Sequence, residues 1–353
     1  MEVFKIRELI NKLWQTRDLS KYEFELLLEN IDEKSRDYLI EKAYEVRKEN
    51  YGKTVFFRGL IEISNICKCD CLYCGIRRSN KNANRYRLSK QEILESCYKG
   101  YELGYRTFVF QGGEDDFFSD ELLTEIIKHL KEKYNDIAIT LSLGERGKKS
   151  FKNLYDAGAD RYLLRHETMN EELYADLHPN MNFKNRIQCL KDLKEIGYQV
   201  GTGFLIGLPG LKMKDYAKDL LFLKELKPHM VGIGPFIPHK DTPLGGETGG
   251  TAYDTITLLA IIRLLLPDVL LPATTALGTI DPKGREKGFK AGANVIMPNL
   301  SPFECRKKYL LYNGKVFTDS EAGEEKIRIE KNIREAGFEP VLTRGDNITW
   351  KRK

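Results

Sequence analysis

From residue 58 onward this chain alternates between two patterns, and that alternation constrains its fold more than any other feature. Short apolar, β-branched or aromatic runs (GLIEIS, RTFVFQG, AITLSL, RYLLRH, VGTGFLIG, MVGIGPF, VLLPAT and NVIMP) take turns with amphipathic stretches such as SKQEILESCYKGYELG, SDELLTEIIKHLKEKY, NRIQCLKDLKEIG and KDYAKDLLFLKEL. Several of these stretches open at Ser or Asp and close at Gly, the residues that cap helix ends. Near-continuous apolar strands are buried on both faces, as in a parallel sheet covered by helices. Eight such units predict an α/β fold, a (βα)8 TIM barrel, with a doubly wound open sheet as the alternative.

The 353 residues accommodate a barrel with extensions. Residues 1–50 read as an N-terminal lead-in of two or three charge-rich helices, with Asp18 or Ser20 capping KYEFELLLENI. The barrel is expected over residues 51–300 and a small C-terminal extension over 301–353. In a barrel the loops after the strands meet at one mouth, where active sites of this architecture sit. The polar clusters fall on those loops: a cysteine-rich segment after the first run, then GGEDD, GERG, HET, GLPG, PFIPHKDTPLG, TTALGT and NLSP.

Cys67, Cys71 and Cys74 form a CxxxCxxC array directly after the first run. A four-iron cluster held by three protein thiolates leaves one iron open to an outside ligand, which implies chemistry rather than electron storage. Zinc prefers four ligands, commonly as paired CxxC units, and no second pair exists. Cys69 lies inside the array and is expected to be a bystander, with ligand exchange left open, while Cys97, Cys189 and Cys305 stand alone. Seven cysteines without an export signal fit a reducing compartment. The 57 basic and 52 acidic residues are dispersed, so charge does not indicate nucleic acid. No run approaches the 18 apolar residues of a membrane span, and a soluble cytoplasmic protein is expected.

Gly112, Gly113, Glu114, Asp115 and Asp116 can bring backbone close to a small amine-bearing ligand, or can form a strand-to-helix turn with an acidic cap. The GLPG at 207–210 lacks the spacing of a phosphate-binding loop. Arg161, Arg165, His166 and Glu167 crowd the fourth strand and its exit, and Arg186 opens a following helix. Guanidinium groups recognise carboxylates, and Glu167 could accept from sugar hydroxyls or an ammonium group; an ion-pair network would use the same residues. His166 reads as an orienting group rather than a base. Thr140 and Ser142 share a strand face, Thr274 and Thr275 end the seventh run, and Met230 opens the sixth, where simple packing is the leading reading. His239 reads as a solvated loop histidine.

With these residues in view, the chain resembles radical S-adenosylmethionine enzymes and, within them, the HydE family of [FeFe]-hydrogenase maturases. The likeness runs from FFRGLIEISNICKCDCLYCGIRRSN through RYRLS, FQGGEDD, TLSLGE, AGADRYLLRHET, LKEIGYQVGTG, GLPG, HMVGIGPFIPHKDTPL, LPATTALGTI and GANVIMPNLSP. The cysteine array marks the superfamily; RYLLRHET, VGIGPFIPH and PATTALGT in this order mark the family. The resemblance implies that Cys67, Cys71 and Cys74 hold a [4Fe-4S] cluster whose open iron binds S-adenosyl-L-methionine. One electron then cleaves the sulfonium to methionine and a 5′-deoxyadenosyl radical. It also implies that Tyr73 lies near the adenine, Gly112, Gly113 and Glu114 near the methionine amine, Glu167 near the ribose and Arg186 near the carboxylate. Thr140, Arg161, Met230, Thr274 and Thr275 would line an anion-accepting substrate cavity.

By the same resemblance the substrate is an iron–cysteine complex carrying carbon monoxide and cyanide. The maturase HydG would supply it, the scaffold HydF would receive the product, and a ferredoxin or flavodoxin would donate electrons. One departure stands out. Some family members carry an auxiliary cluster near the C-terminus, but KVFTDSEAGEEKIRIEKNIREAGFEP contains no cysteine and Cys305 is alone, so a single functional cluster is expected. Three alternatives remain: a biotin synthase, which should carry cysteines on its strands, a methylornithine synthase, which is similar across the barrel, and a non-catalytic iron–sulfur carrier.

Overall fold

The computed structural model describes residues 2–315 and 321–352. It opens with three helices, Glu2–Thr16, Lys21–Asn30 and Glu33–Tyr51. Ser20, not Asp18, caps the second through a capping box with Glu23; Asp32 caps the third by accepting from the Ser35 N–H at 2.7 Å. Phe24, Leu27, Leu39 and Val46 are buried, and these helices pack on two barrel helices, Met213–Leu226 and Ala252–Leu265.

The eight apolar runs close into a ring. The first strand is bent, Thr54–Phe57 continuing into Gly59–Ser64, and is followed in order by Thr107–Gly112, Ala138–Ser142, Arg161–Leu163, Gln199–Thr202 and Met230–Val231. All neighbours are parallel, with Leu60 opposite Val109 and Val109 opposite Thr140. The seventh run joins through single bridges, Met230 to Leu270 and Pro272 to Val295, because Pro272 has no N–H to extend a ladder. Val295–Ile296 then pairs with Phe56 and Phe57, and Asn299 bridges Leu60, completing a barrel rather than an open sheet.

Alternation divides each strand between helices and lumen. Phe57, Ile61, Ile63, Phe108, Phe110, Ile139, Leu141 and Val200 face the helices and are buried. Each contributes roughly 1.5–3 kcal/mol by leaving water. The opposite parity, Arg58, Leu60, Glu62, Thr140 and Arg161 among others, lines the inside.

The segment after the barrel covers both of its ends. Residues 301–315 arch over the mouth, where the Gly75 N–H donates to the Leu311 carbonyl and Asn65 Nδ2 to the Lys308 carbonyl. Glu339–Val341 adds a strand beside Thr54–Phe57, and residues 342–352 run across the floor, with Asn347 Nδ2 on the Asp268 carbonyl and Trp350 Nε1 on that of Gly197. No helix among the described residues is long and apolar enough to cross a membrane.

Candidate active site

The cysteine loop has little regular structure, so side chains satisfy its backbone. Arg85 donates to the carbonyls of Asn65, Ile76, Arg77 and Asn80 at 2.6–3.0 Å. Asp70 accepts from Arg77 Nε, the Ser79 N–H and the Ser79 hydroxyl. The GGEDD turn packs directly on this loop: a Cβ on Gly113 would stand 2.2 Å from the Ile66 carbonyl oxygen and 2.6 Å from Cys67 Cβ. Asp115 clamps the junction, accepting from Ser64 Oγ at 2.7 Å and from two nitrogens of Arg87 at 2.7 and 2.9 Å. It is buried rather than a solvated cap; Asp116 is exposed and pairs with Lys68.

Cys67, Cys71 and Cys74 are free and half-buried on one loop. Cys67 is drawn down to about 7, first by a hydrogen bond from Cys69 and then, against burial, by the N–H groups of Cys69 and Glu114. Burial pushes Cys71 up and Cys74 to about 12. Hydrogen bonding to Cys67 and burial push Cys69 up as well. Among the described residues no three His, Cys, Asp or Glu side chains converge where a single ion would sit. Iron–sulfur clusters are held by Cys thiolates, and three free cysteines on one loop are donors of that kind. Cys97 and Cys189 lie on outer helices and Cys305 on the short helix Phe303–Arg306, so none of the three is on a barrel strand.

Beside the loop, Arg186 rises from the first turn of the helix Phe183–Ile196, whose N-cap is Asn182. Its Nε meets Glu145 Oε1 at 2.6 Å, its Nη1 donates to the Arg165 carbonyl at 3.0 Å, and Glu114 Oε1 lies 3.9 Å away. Burial works against its charge, but Tyr174, Glu145, Glu114 and Glu167 outweigh burial and raise its pKa. Gly144, at φ +74°, makes room for Glu114: a Cβ there would meet Glu114 Cγ at 2.0 Å.

Glu167 carries two anomalies. Its φ is +67°, and its Oε2 is buried without a hydrogen-bond donor among the described residues, while Oε1 lies 3.3 Å from Arg165 Nε. A left-handed non-glycine residue costs about 1–3 kcal/mol, and an unpaired buried acceptor costs about as much. The surroundings hold it: the Glu167 N–H donates to the Gly203 carbonyl and its own carbonyl accepts from Leu205. His166 packs behind, fully buried, 2.9 Å from Thr202 Oγ1 and 3.4 Å from Asp219. An acceptor held bare beside three thiols fits a hydroxyl-bearing ligand.

Tyr73, between Cys71 and Cys74, places its hydroxyl 2.8 Å from Nε2 of His178. His239 departs from the sequence expectation: it is 5 % exposed, its ring packed so close to Gly75 that a Cβ there would lie 2.6 Å from Cδ2. The loop carrying it folds back onto the cysteine loop and removes it from water.

The lumen residues separate into levels. Toward the floor, Met230 Sδ accepts from Arg58 Nη1 at 2.9 Å while the side chain packs with Tyr51, Leu270 and Val295. Arg161 reaches Asp346 at 2.6 Å and the Arg344 carbonyl. Thr140 Oγ1, Arg161 Nε, and Arg58 Nε and Nη2 are buried without partners among the described residues. Near the mouth, Glu62 accepts from Lys315 Nζ at 2.5 Å and Asn299 Nδ2 at 2.8 Å. Thr274 caps the helix Thr275–Ile280, and Thr275 accepts from Arg285 at 3.2 Å. Arg58, Glu62, Glu145, His178 and Lys315 were not singled out from sequence. Only Arg58 and Glu62 left a signal, as charges of one parity in an otherwise apolar strand. At the rim, a groove of about 710 Å³ is lined by Lys68, Cys69, Glu114, Glu145, Arg146 and Asn185.

A closed parallel barrel with a three-cysteine loop and a carboxylate–guanidinium array at its mouth defines a class, and residues 61–223 match the model of the Radical SAM superfamily. The chain is 46% identical over 310 residues to the [FeFe] hydrogenase maturase subunit HydE of Thermotoga maritima, covering 88% of each chain. It is 31% identical to 3-methylornithine synthase of Methanosarcina acetivorans, covering 80% of this chain and 81% of that one. The crystal structure of methylornithine synthase (PylB) superposes with a TM-score of 0.83 at 25% identity, covering 94% of this chain and 97% of that one. The chain belongs to the HydE family of [FeFe]-hydrogenase maturases, within the radical S-adenosylmethionine superfamily.

Proposed function

We propose that this chain is a radical S-adenosylmethionine maturase that helps build the active-site H-cluster of [FeFe]-hydrogenase, with Cys67, Cys71 and Cys74 holding a [4Fe-4S] cluster. When bound, the cluster supplies one electron to the sulfonium of S-adenosylmethionine, releasing methionine and a 5′-deoxyadenosyl radical. The chain's own residues bind and orient. Arg186, kept charged by its carboxylate neighbours, recognises the methionine carboxylate, and Glu114 with the Gly112 and Gly113 carbonyls accepts from the amine. Glu167 Oε2 accepts from a ribose hydroxyl, and Tyr73 lies along the adenine. The arch of residues 301–315 screens the lumen from water. Below, the unpaired N–H groups of Arg58 and Arg161, with Thr140 and Met230, suit an anionic substrate, here an iron–cysteine complex carrying carbon monoxide and cyanide. Thr274 and Thr275 border its path at the upper end of strand seven. HydG as supplier, HydF as recipient and a ferredoxin or flavodoxin as reductant complete the proposal.

The observation that carries this reading is the bare, strained Glu167 carboxylate beside Arg186 and the three-thiol loop. Anaerobically reconstituted, dithionite-reduced protein should release 5′-deoxyadenosine, and adding it should restore hydrogenase activation in a mixture lacking only this component. Intact cluster without 5′-deoxyadenosine would make the chain a carrier. Conversion of lysine to methylornithine would move it to the second family it matches.

A further inference from the structure

We infer that His178 is a positioning residue for S-adenosylmethionine: as an Nδ1–H imidazole wedged between Tyr174 and Tyr73, it fixes the Tyr73 ring at the barrel mouth. The inference rests on the cofactor reading above. His178 is 1 % exposed and ends the short helix Glu171–Leu177. Its Nδ1 lies 2.8 Å from the Tyr174 carbonyl oxygen. A carbonyl can only accept, so Nδ1 carries the proton and Nε2 keeps its lone pair. The Tyr73 hydroxyl, 2.8 Å from Nε2, is therefore the donor.

Packing holds the same arrangement. The imidazole stacks on Tyr174 with centroids 4.1 Å apart and planes 25° apart, while Tyr73 meets it edge-on at 5.4 Å and 84°. The backbone adds a tie, since the Leu72 N–H donates to the Leu177 carbonyl at 2.9 Å. The middle of the cysteine loop is thus fastened twice to one helix end. Burial lowers the His178 pKa to about 4, against Glu167 and Glu145 and with Arg186, so the ring is neutral in ordinary buffers. An imidazolium would offer Tyr73 a donor instead of a lone pair, reversing this bond and leaving the half-buried Tyr73 O–H with no acceptor among the described residues.

Two measurements test this. In 15N-histidine-labelled apoprotein, long-range 1H–15N spectra, assigned by the peak lost in His178→Gln, should show an Nδ1–H, bare-Nε2 tautomer; an Nε2–H tautomer or an imidazolium overturns the inference. In reconstituted protein, His178→Phe keeps a ring but removes the acceptor. It should raise the Kd for S-adenosylmethionine roughly tenfold with iron content and saturated turnover unchanged. Tyr73→Phe should raise the Kd to a similar extent, and the double variant should be no worse than either single one. Unchanged affinity, or additive losses, contradicts the role. If His178→Phe fails to fold, the wild-type tautomer and Tyr73→Phe still decide. If wild-type protein binds no S-adenosylmethionine, the functional reading fails while the tautomer result stands separately.

Discussion

The two ends of the barrel treat buried carboxylates in opposite ways. At the floor the buried carboxylates are saturated: Asp346 takes Arg161 at 2.6 Å, Arg344 at 2.8 Å and Gln199 at 2.6 Å, while Asp160 takes Lys131, Arg344 and Arg352 at 2.7–3.2 Å. Burial alone would raise the Asp346 carboxyl, yet Arg161 and Arg344 hold it at about 2. At the mouth Glu167 keeps one oxygen bare on a strained backbone, and glycines replace side chains where loops meet. A floor with its carboxylates matched from within the chain serves stability; a mouth that tolerates an unmatched acceptor serves a ligand.

The sharpest way to break this contrast is at the thiols. Cys71→Ala should abolish cluster binding and all cleavage, whereas Cys69→Ala should keep both, read by iron content and 5′-deoxyadenosine release; loss of the cluster in Cys69→Ala would reassign the ligands. At the floor, Asp346→Ala leaves Arg161 buried without its counter-ion and should cost about 3–5 kcal/mol by denaturant unfolding, with S-adenosylmethionine binding retained in the folded fraction. At the mouth the expected pattern inverts. Arg186→Ala should leave iron content intact but weaken S-adenosylmethionine binding by about 2–3 kcal/mol, some 30- to 150-fold.

The smallest effect is a pH dependence. Because the folded Asp346 pKa is depressed to about 2, its contribution is present above the unfolded carboxylate range and is lost as pH falls from about 4 toward 2. The loss amounts to about 2 kcal/mol, and Asp346→Asn should flatten that part of the acid limb. A variant with an unchanged acid limb would show that the floor does not couple through this carboxylate.

Much of the scaffold was legible because hydrophobic period is local: eight apolar runs marked eight barrel positions, and the helices opened at Ser20, Ser89 and Ser119. Strand seven was legible as a run but not as single bridges, since Pro272 removes a donor that only the ladder would have used. The double role of residues 301–352 was not legible, because where a tail docks depends on surfaces made by distant segments. The same holds for Glu145 and His178, isolated polar residues whose roles appear only when Arg186 and Tyr73 are brought beside them. The cysteine array could be read because its three thiols lie within one loop. His239 was misread because nothing local to PFIPHKD reports that Gly75 will lie against it.

The central claim is that the three thiolates leave one cluster corner open to the amine and carboxylate of S-adenosylmethionine. The most direct test is electron–nuclear double resonance on the reduced, reconstituted protein with S-adenosylmethionine carrying a 15N-labelled amine. Direct coordination predicts a 15N coupling to the cluster that disappears when cosubstrate is omitted. A cluster signal that shows no coupling at saturating S-adenosylmethionine would contradict the account.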